Sequence, residues 1–337
     1  MKANLLFESN KSKEGGEYFV TIFTPTFNRK KTIGRTYQSI QQLKTVSGGI
    51  DWIIVDDGSS DGTEELGRKW CEENKVSIRY FKQENQGKHV AMNFATQQAR
   101  GKFWLTIDSD DTILPDALLK YYKAWNSIPE NERNEYCGVS ARCVDSEGNI
   151  VGDRLPYQPM DVSFTELRMK YRIEGEMLEM FRVEVLRKYP FPEYDSRMRF
   201  CPEAIAWFEM AKKYKLRVID EAVRTYYYDA SVSIMRERSI KRSAANYFLW
   251  LYLVNNLTQY VFFYPMKIVK AYVGVSMDGF VSGRNIKGIL KDIHGWKKIC
   301  KNTVLYKLTW KQSFAKEIDG KPTFYGMMIN GKLKRID

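Results

Sequence analysis

The sequence predicts an α/β protein, with a mostly parallel sheet flanked by helices and a C-terminal helical extension. Three observations carry this. Short β-branched and aromatic runs alternate with helical stretches between residues 18 and 111, acidic or turn residues close several of those runs, and Lys and Arg gather in the last third of the chain.

The 337 residues are 44% hydrophobic, 14% aromatic and 28% charged, a composition that excludes a disordered chain and is large enough for a catalytic domain. Residues 1–17 are polar and read as an N-terminal tail. YFVTIFTP (18–25), DWIIVDD (51–57), VSIRYF (76–81) and KFWLTIDSDD (102–111) have the length and residue types of strands. Between them, RKKTIGRTYQSIQQLK, TEELGRKWCEENK and KHVAMNFATQQAR repeat apolar residues at spacings of three and four, as helices do. Such alternation builds parallel sheets covered on both faces, with ligands outside the carboxyl ends of the strands.

From 112 to 230 the pattern is mixed. A hairpin is expected around Glu147-Gly148-Asn149, helices near 163–171 and 202–215, and an extended run over 216–229. Beyond residue 236, aromatic and aliphatic residues recur at helical spacing. Asn255, Asn256, Gln259, Pro265 and Lys267 interrupt them, leaving no run near the ~18 apolar residues of a membrane span.

Residues 1–230 carry 34 Lys and Arg against 35 Asp and Glu, whereas 231–337 carry 19 against 6. The net charge of +12 therefore belongs to the last third, as a solvated face or as a surface for an anionic partner. Five cysteines, an odd number without a CxxC pair, point to reduced thiols. Glu and Lys near the start break any apolar export signal, so a cytoplasmic location is expected.

Three motifs follow strands. Thr24-Pro25-Thr26-Phe27-Asn28-Arg29 turns the chain where small hydroxyl residues leave room for a ligand. In Val55-Asp56-Asp57-Gly58-Ser59-Ser60-Asp61-Gly62-Thr63, Asp61 and Thr63 suit a helix cap, while Asp57 is placed to accept from a donor such as a base-ring N–H. In Asp108-Ser109-Asp110-Asp111 three carboxylates repel one another unless a cation is near; Asp108 and Asp110 suit Mg2+ or Mn2+. Asp111 or Thr112 is instead a candidate cap for the helix whose first turn holds Pro115.

In this order, PTFNR, VDDGSSDGT, NQGKHVAMNFATQQARGKFWLTIDSDD and LPDALL resemble the family 2 glycosyltransferases of GT-A (Rossmann-like) fold, densely over residues 19 to about 125. The resemblance implies an inverting transferase that uses a nucleotide-diphosphate sugar, a UDP-sugar being the commonest in the family, with Mn2+ or Mg2+. It implies that Thr24, Pro25 and Asn28 line the nucleotide pocket, that Asp57 contacts the base, and that Asp108 lies by the ribose and metal. By the same resemblance Asp110 coordinates the metal, Asn85, Gly87 and Asn93 match the family's N-x-G segment and later Asn, with Asn93 among the donor-binding residues, and Lys88 meets the diphosphate or base or is merely exposed. His89, next to it, is near enough to touch donor or acceptor.

Further on, FCPEAIAWFEMAKKY places Glu203 at the family's second acidic position, with Pro202 at the first. The resemblance makes Glu203 the general base, in place of a plain first-turn Glu. Relatives carry a His after the last core strand; Tyr226-Tyr227-Tyr228-Asp229-Ala230-Ser231 has none, and Arg224 or the tyrosines are candidates to replace it. The implied organisation is a tail (1–17), a glycosyltransferase domain (18–235, with a nucleotide-sugar half to 125 and an acceptor half from 126) and a basic, aromatic-rich helical region (236–337).

The acceptor is expected to be a glycan or a lipid-linked hydroxyl in bacterial surface polysaccharide synthesis. No nucleic-acid partner is expected, while contact with anionic membrane and a homodimer interface are both open to the basic region. Two alternatives remain at this stage. A sugar nucleotidyltransferase normally opens with a Gly-rich basic loop, which PTFNRKK lacks; a non-catalytic carbohydrate- or nucleic-acid-binding protein would rest on the basic third alone.

Overall fold

A computed structural model describes residues 3–46, 48–193, 200–228, 240–294, 313–318, 321–329 and 332–335. By its internal contacts the chain forms two units, residues 1–199 with 206–231, and residues 200–205 with 232–337.

The first unit begins with β1 (Asn4–Glu8) and α1 (Asn10–Glu14), followed by β2 (Tyr18–Thr26), α2 (Ile33–Gln41), β3 (Gly49–Asp56), α3 (Thr63–Glu73), β4 (Ile78–Lys82), α4 (Lys88–Gln98) and β5 (Phe103–Thr106). β6 (Thr112–Ile113), α5 (Ala117–Asn126), β7 (Tyr136–Val144), β8 (Met160–Val162), β9 (Met177–Arg182) and α6 (Val183–Leu186) come next, then α7 (Ala204–Met210), which starts at the edge of the second unit, and β10 (Lys215–Thr225). The strands form one sheet in the order β1-β4-β3-β2-β5-β9-β7-β10-β6, with β8 beside β10.

β4, β3, β2 and β5 are parallel, as the strand and helix alternation predicts. Residues 51–56 of β3 are buried on both faces, which is why this strand reads as a nearly unbroken apolar run. α2 buries Ile33, Tyr37 and Ile40 at helical spacing, and Tyr37 stacks on Trp70 of α3 with ring centres 4.4 Å apart. α3 approaches β4 closely at Gly67, where a Cβ would stand 2.4 Å from the Tyr80 ring.

Three expectations are corrected. Residues 4–8 are an edge strand antiparallel to β4, not tail; Phe7 lies against Tyr80 at 5.7 Å, and the NLLFE run is short enough to be masked by its polar surroundings. The sheet is mixed rather than mostly parallel, because β9 enters antiparallel between β5 and β7 and the short strands β6 and β8 flank β10 antiparallel. α5 starts at Ala117 with Asp116 at the cap position, so neither Asp111 nor Thr112 caps it.

The second unit contains α8 (Ile240–Asn256), α9 (Pro265–Val281) and α10 (Ile286–Asp292). Gly274 of α9 lets the Trp250 ring of α8 come within 2.5 Å of where a Cβ would be, and the Trp250 indole N–H donates to Asp278 Oδ2 at 2.8 Å. The region is not helical throughout: β11 (Ser313–Ile318), β12 (Lys321–Ile329) and β13 (Lys332–Arg335) form an antiparallel sheet. No described helix is long and apolar enough to cross a membrane. Cys71, Cys137, Cys143 and Cys201 are free and buried.

Candidate active site

The loops after β2 and β3 lock together at the carboxyl ends of the parallel strands. Asn28 adopts a left-handed φ of 53°, which Asn tolerates. Its backbone N–H donates to Ser59 Oγ at 2.8 Å, and its side-chain oxygen accepts from Ser60 N–H at 2.9 Å. Asp61 accepts from the N–H groups of Lys30 and Thr63, both at 3.0 Å. Burial opposes its charge, but these bonds and the Thr63 hydroxyl hold the carboxyl below its usual range.

Asp56 closes β3 and Asp57 follows it, and the two carboxylates are satisfied by separate sets of donors. Asp56 accepts from Ser59 N–H and Tyr80 O–H, each at 2.7 Å. Asp57 accepts from the Gln83 side chain at 2.8 Å, from Gln86 N–H at 2.7 Å and from Gly87 N–H at 2.8 Å. These donors fix the turn that enters α4 at Gly87, whose φ of 98° suits glycine.

α4 begins with Lys88, whose Nζ donates to Asp108 Oδ1 at 2.6 Å. With 34% of the Asp108 side chain exposed, its neighbours outweigh the opposing effect of burial: Lys88 first, then Arg224 and Arg29, hold its carboxyl below the usual range. Asp110 lies 3.7 Å from the Arg29 guanidinium, and its carbonyl accepts from Arg35 Nε at 2.9 Å. Burial and the charge of Asp108 push its carboxyl up, against Arg29 and Lys88.

Asp111 is buried, accepts from Tyr227 N–H at 3.1 Å and sits 3.4 Å from Arg224; burial pushes its carboxyl up to about 7. Arg224, also buried, reaches Glu176 at 3.1 Å, and Arg35 lies over the Tyr227 ring at 4.0 Å. The segment after β10 is thereby tied to the acidic cluster, and Arg224 serves Asp111.

Asn28, Asp57, Lys88, Asp108 and Asp110 thus come together at the strand ends. Pro25 is half-buried in the last part of β2, whereas the Thr24 side chain faces inward and accepts from Trp52 Nε1 at 3.0 Å. Asn93 turns its amide to Phe191, accepting from its N–H at 2.8 Å and donating to its carbonyl at 2.9 Å, and also reaches Glu193 at 3.0 Å. His89 is buried; burial lowers its basicity against the opposing pull of Glu193 and Asp57. Glu203 is half-buried immediately before α7, in the segment 200–205 that belongs to the second unit. His294 is exposed.

Sequence reasoning missed Arg35, Gln83 and Gln86. Only Arg35 left a signal, as a basic residue one helical turn beyond RKK.

No three described acidic, His or Cys side chains converge on a metal position by themselves. Asp108 and Asp110 nonetheless fit a hard divalent cation. Burial and then the like charge of Asp108 raise the Asp110 carboxyl, a cost that a cation would relieve, and such ions take one or two carboxylates while phosphate and water fill the other positions.

Residues 21–189, half of the chain, match the profile of glycosyl transferase family 2. The chain belongs to this family. As a family 2 glycosyltransferase it is an enzyme, which sets aside the nucleotidyltransferase and the non-catalytic binder.

Among its relatives, the GalNAc(5)-diNAcBac-PP-undecaprenol beta-1,3-glucosyltransferase of Campylobacter jejuni is 26% identical over 241 residues, 69% of this chain and 71% of the relative. The putative teichuronic acid biosynthesis glycosyltransferase TuaG of Bacillus subtilis is 33% identical over 195 residues, 58% of this chain and 72% of its own. Among solved structures, S. aureus TarS 1-349 in complex with UDP-GlcNAc has a TM-score of 0.54 at 15% identity, covering 94% of this chain and 99% of that one. Mannosyltransferase PcManGT from Pyrobaculum calidifontis, in complex with GDP-Man and Mn2+, has a TM-score of 0.53 at 17% identity, covering 84% and 76%. These likenesses show that the glycosyltransferase has the GT-A fold.

Proposed function

We propose that this glycosyltransferase moves a sugar from a nucleotide-diphosphate sugar, a UDP-sugar in the first instance, to a hydroxyl of a glycan or lipid-linked acceptor, with inversion. The reading rests chiefly on one observation: Asp108 and Asp110 meet Lys88 and Arg29 where the parallel strands end. Structural neighbours solved with UDP-GlcNAc, UDP and GDP-Man support the donor class. Relatives named for an undecaprenol-linked glycan and for teichuronic acid support a role in surface polysaccharide synthesis; a place on the cytoplasmic side, peripheral to the membrane, is part of the same proposal.

Asn28, Pro25, the Thr24 backbone and the loop held by Asp57 form the nucleotide side of the site. Asp108 and Asp110 would hold a divalent cation, and Lys88 and Arg29 beside them are placed to receive phosphate oxygens. A divalent cation held there would supply positive charge to offset that gathering on the departing diphosphate. Glu203 takes the proton from the acceptor hydroxyl, which must approach from the face opposite the leaving group. Fixing donor and acceptor in line lowers the entropic part of the barrier.

The test is a panel of radiolabelled UDP- and GDP-sugars offered with and without Mn2+, with the product anomer read by NMR. Inversion and loss of turnover on chelation are expected; a retained anomer or metal-independent transfer overturns the mechanism. Glu203→Gln should bind donor in a thermal-shift assay yet transfer no sugar, and full turnover by this variant removes Glu203 as the base.

A further inference from the structure

The second unit carries an apolar patch that the transfer reaction does not use. Around the turn before α9, Phe262 is 90% exposed, Met266 58%, Phe263 44% and Val269 38%. Ile268 and Ala271 of α9 are buried, so Met266 and Val269 form the outward face of its first turns, continuous in sequence with the exposed Phe262 and Phe263 just before it. Lys270 is exposed on the same stretch, and Lys267 lies over the Tyr264 ring at 5.8 Å.

No Asp or Glu occurs between residues 238 and 277. A protruding aromatic and thioether cluster edged by lysines, on a stretch of chain that carries no acid, matches the interface of an anionic bilayer: the rings enter the acyl boundary while ammonium groups stay among the headgroups. The exposed area, on the order of 400 Å2, is about half of the ~800 Å2 per partner in a standard protein interface, which argues against a second copy as the occupant.

We propose that Phe262, Phe263, Met266 and Val269, with Lys267 and Lys270, form the surface that docks this enzyme on anionic membrane. The proposal deepens the reading of a lipid-linked acceptor, since docking would restrict the search for such a substrate to the membrane plane.

Flotation of the full chain with vesicles of phosphatidylcholine alone, or with phosphatidylglycerol added, tests it without donor or acceptor, so its result is independent of whether sugar transfer is correctly assigned. Wild type should float with the anionic vesicles and little with the neutral ones. Phe262→Ser with Met266→Ser should lower the partition coefficient about tenfold, while Leu5→Ser, at an exposed leucine of the edge strand, should leave it unchanged. Lys267→Gln with Lys270→Gln should weaken binding only on the anionic vesicles. Unaltered circular dichroism shows that the variants are folded. Equal partitioning of wild type and the Phe262 and Met266 variant overturns the proposal, as does sedimentation showing that this variant dissociates a dimer without changing vesicle binding.

Discussion

The two ends of the parallel sheet use charge in opposite ways. At its amino end, Asp51 of β3 is fully buried and receives Arg79 bidentately, Nε at 3.1 Å and Nη2 at 2.7 Å, together with the Thr21 hydroxyl at 2.9 Å. Arg79 also caps the Gln98 carbonyl at the end of α4. One anion meets one cation, and the remaining hydrogen-bonding capacity is directed into neighbouring backbone. At the carboxyl end, Asp108, Asp110 and Asp111 crowd together, and two of the three are pushed towards their neutral forms. The same strands thus carry a closed ion pair at one end and, at the other, three crowded acids, two of which resist ionisation, met by Lys88, Arg29 and Arg224.

The largest contrast should appear at Asp110. Asp110→Asn is expected to lower transfer about 10^4-fold, or ~5.5 kcal/mol of barrier, in single-turnover assays. Its melting temperature should hold or rise, because the native site opposes that charge. A variant that melts well below wild type would mean that the acidic end is structural as well. Arg79→Met should do the reverse. It strands a buried Asp51 carboxylate and should cost about 3–5 kcal/mol in denaturant unfolding, while folded protein keeps its donor affinity.

This division also explains what the sequence could reveal. β2, β3 and β4 are legible because strands buried on both faces read as apolar runs, and the acids after β5 are legible because their crowding is local. β9, MLEMFR, lacks β-branched residues and gives no such signal. The donors to Asp57 come from Gln83, Gln86 and Gly87, and the partner of Asp111 is Arg224 on a distant strand; both pairings exist only after the sheet has formed. Asn93, which the resemblance counts among the donor-binding residues, has its amide engaged by Phe191, a partner that no local pattern reveals.

Asn93 lies on α4, whose first residue reaches Asp108 and whose last turn receives Arg79. Asn93→Ala removes both hydrogen bonds to Phe191 and should cost about 2–3 kcal/mol of stability. If its work is to hold residues 191–193, donor KM should stay near wild type while acceptor KM rises. A selective rise in donor KM would return Asn93 to the nucleotide pocket.

The smallest effect is expected at Thr21, where shape can be kept and only polarity removed. Its hydroxyl donates to Asp51 and accepts from the N–H groups of Arg100 at 3.1 Å and Gly101 at 2.8 Å. Thr21→Val leaves Asp51 with Arg79 but deprives the backbone at the entrance to β5 of an acceptor, so about 1–2 kcal/mol should be lost. Arg100 N–H also lies 3.3 Å from Asp51 Oδ2 and can turn to it, which keeps the loss below that of Arg79→Met. A double-mutant cycle of Thr21→Val with Arg79→Met should therefore be non-additive, since both act through one carboxylate. Strict additivity would show that the amino end is a set of independent contacts and that the proposed ion-pair network does not exist as a unit.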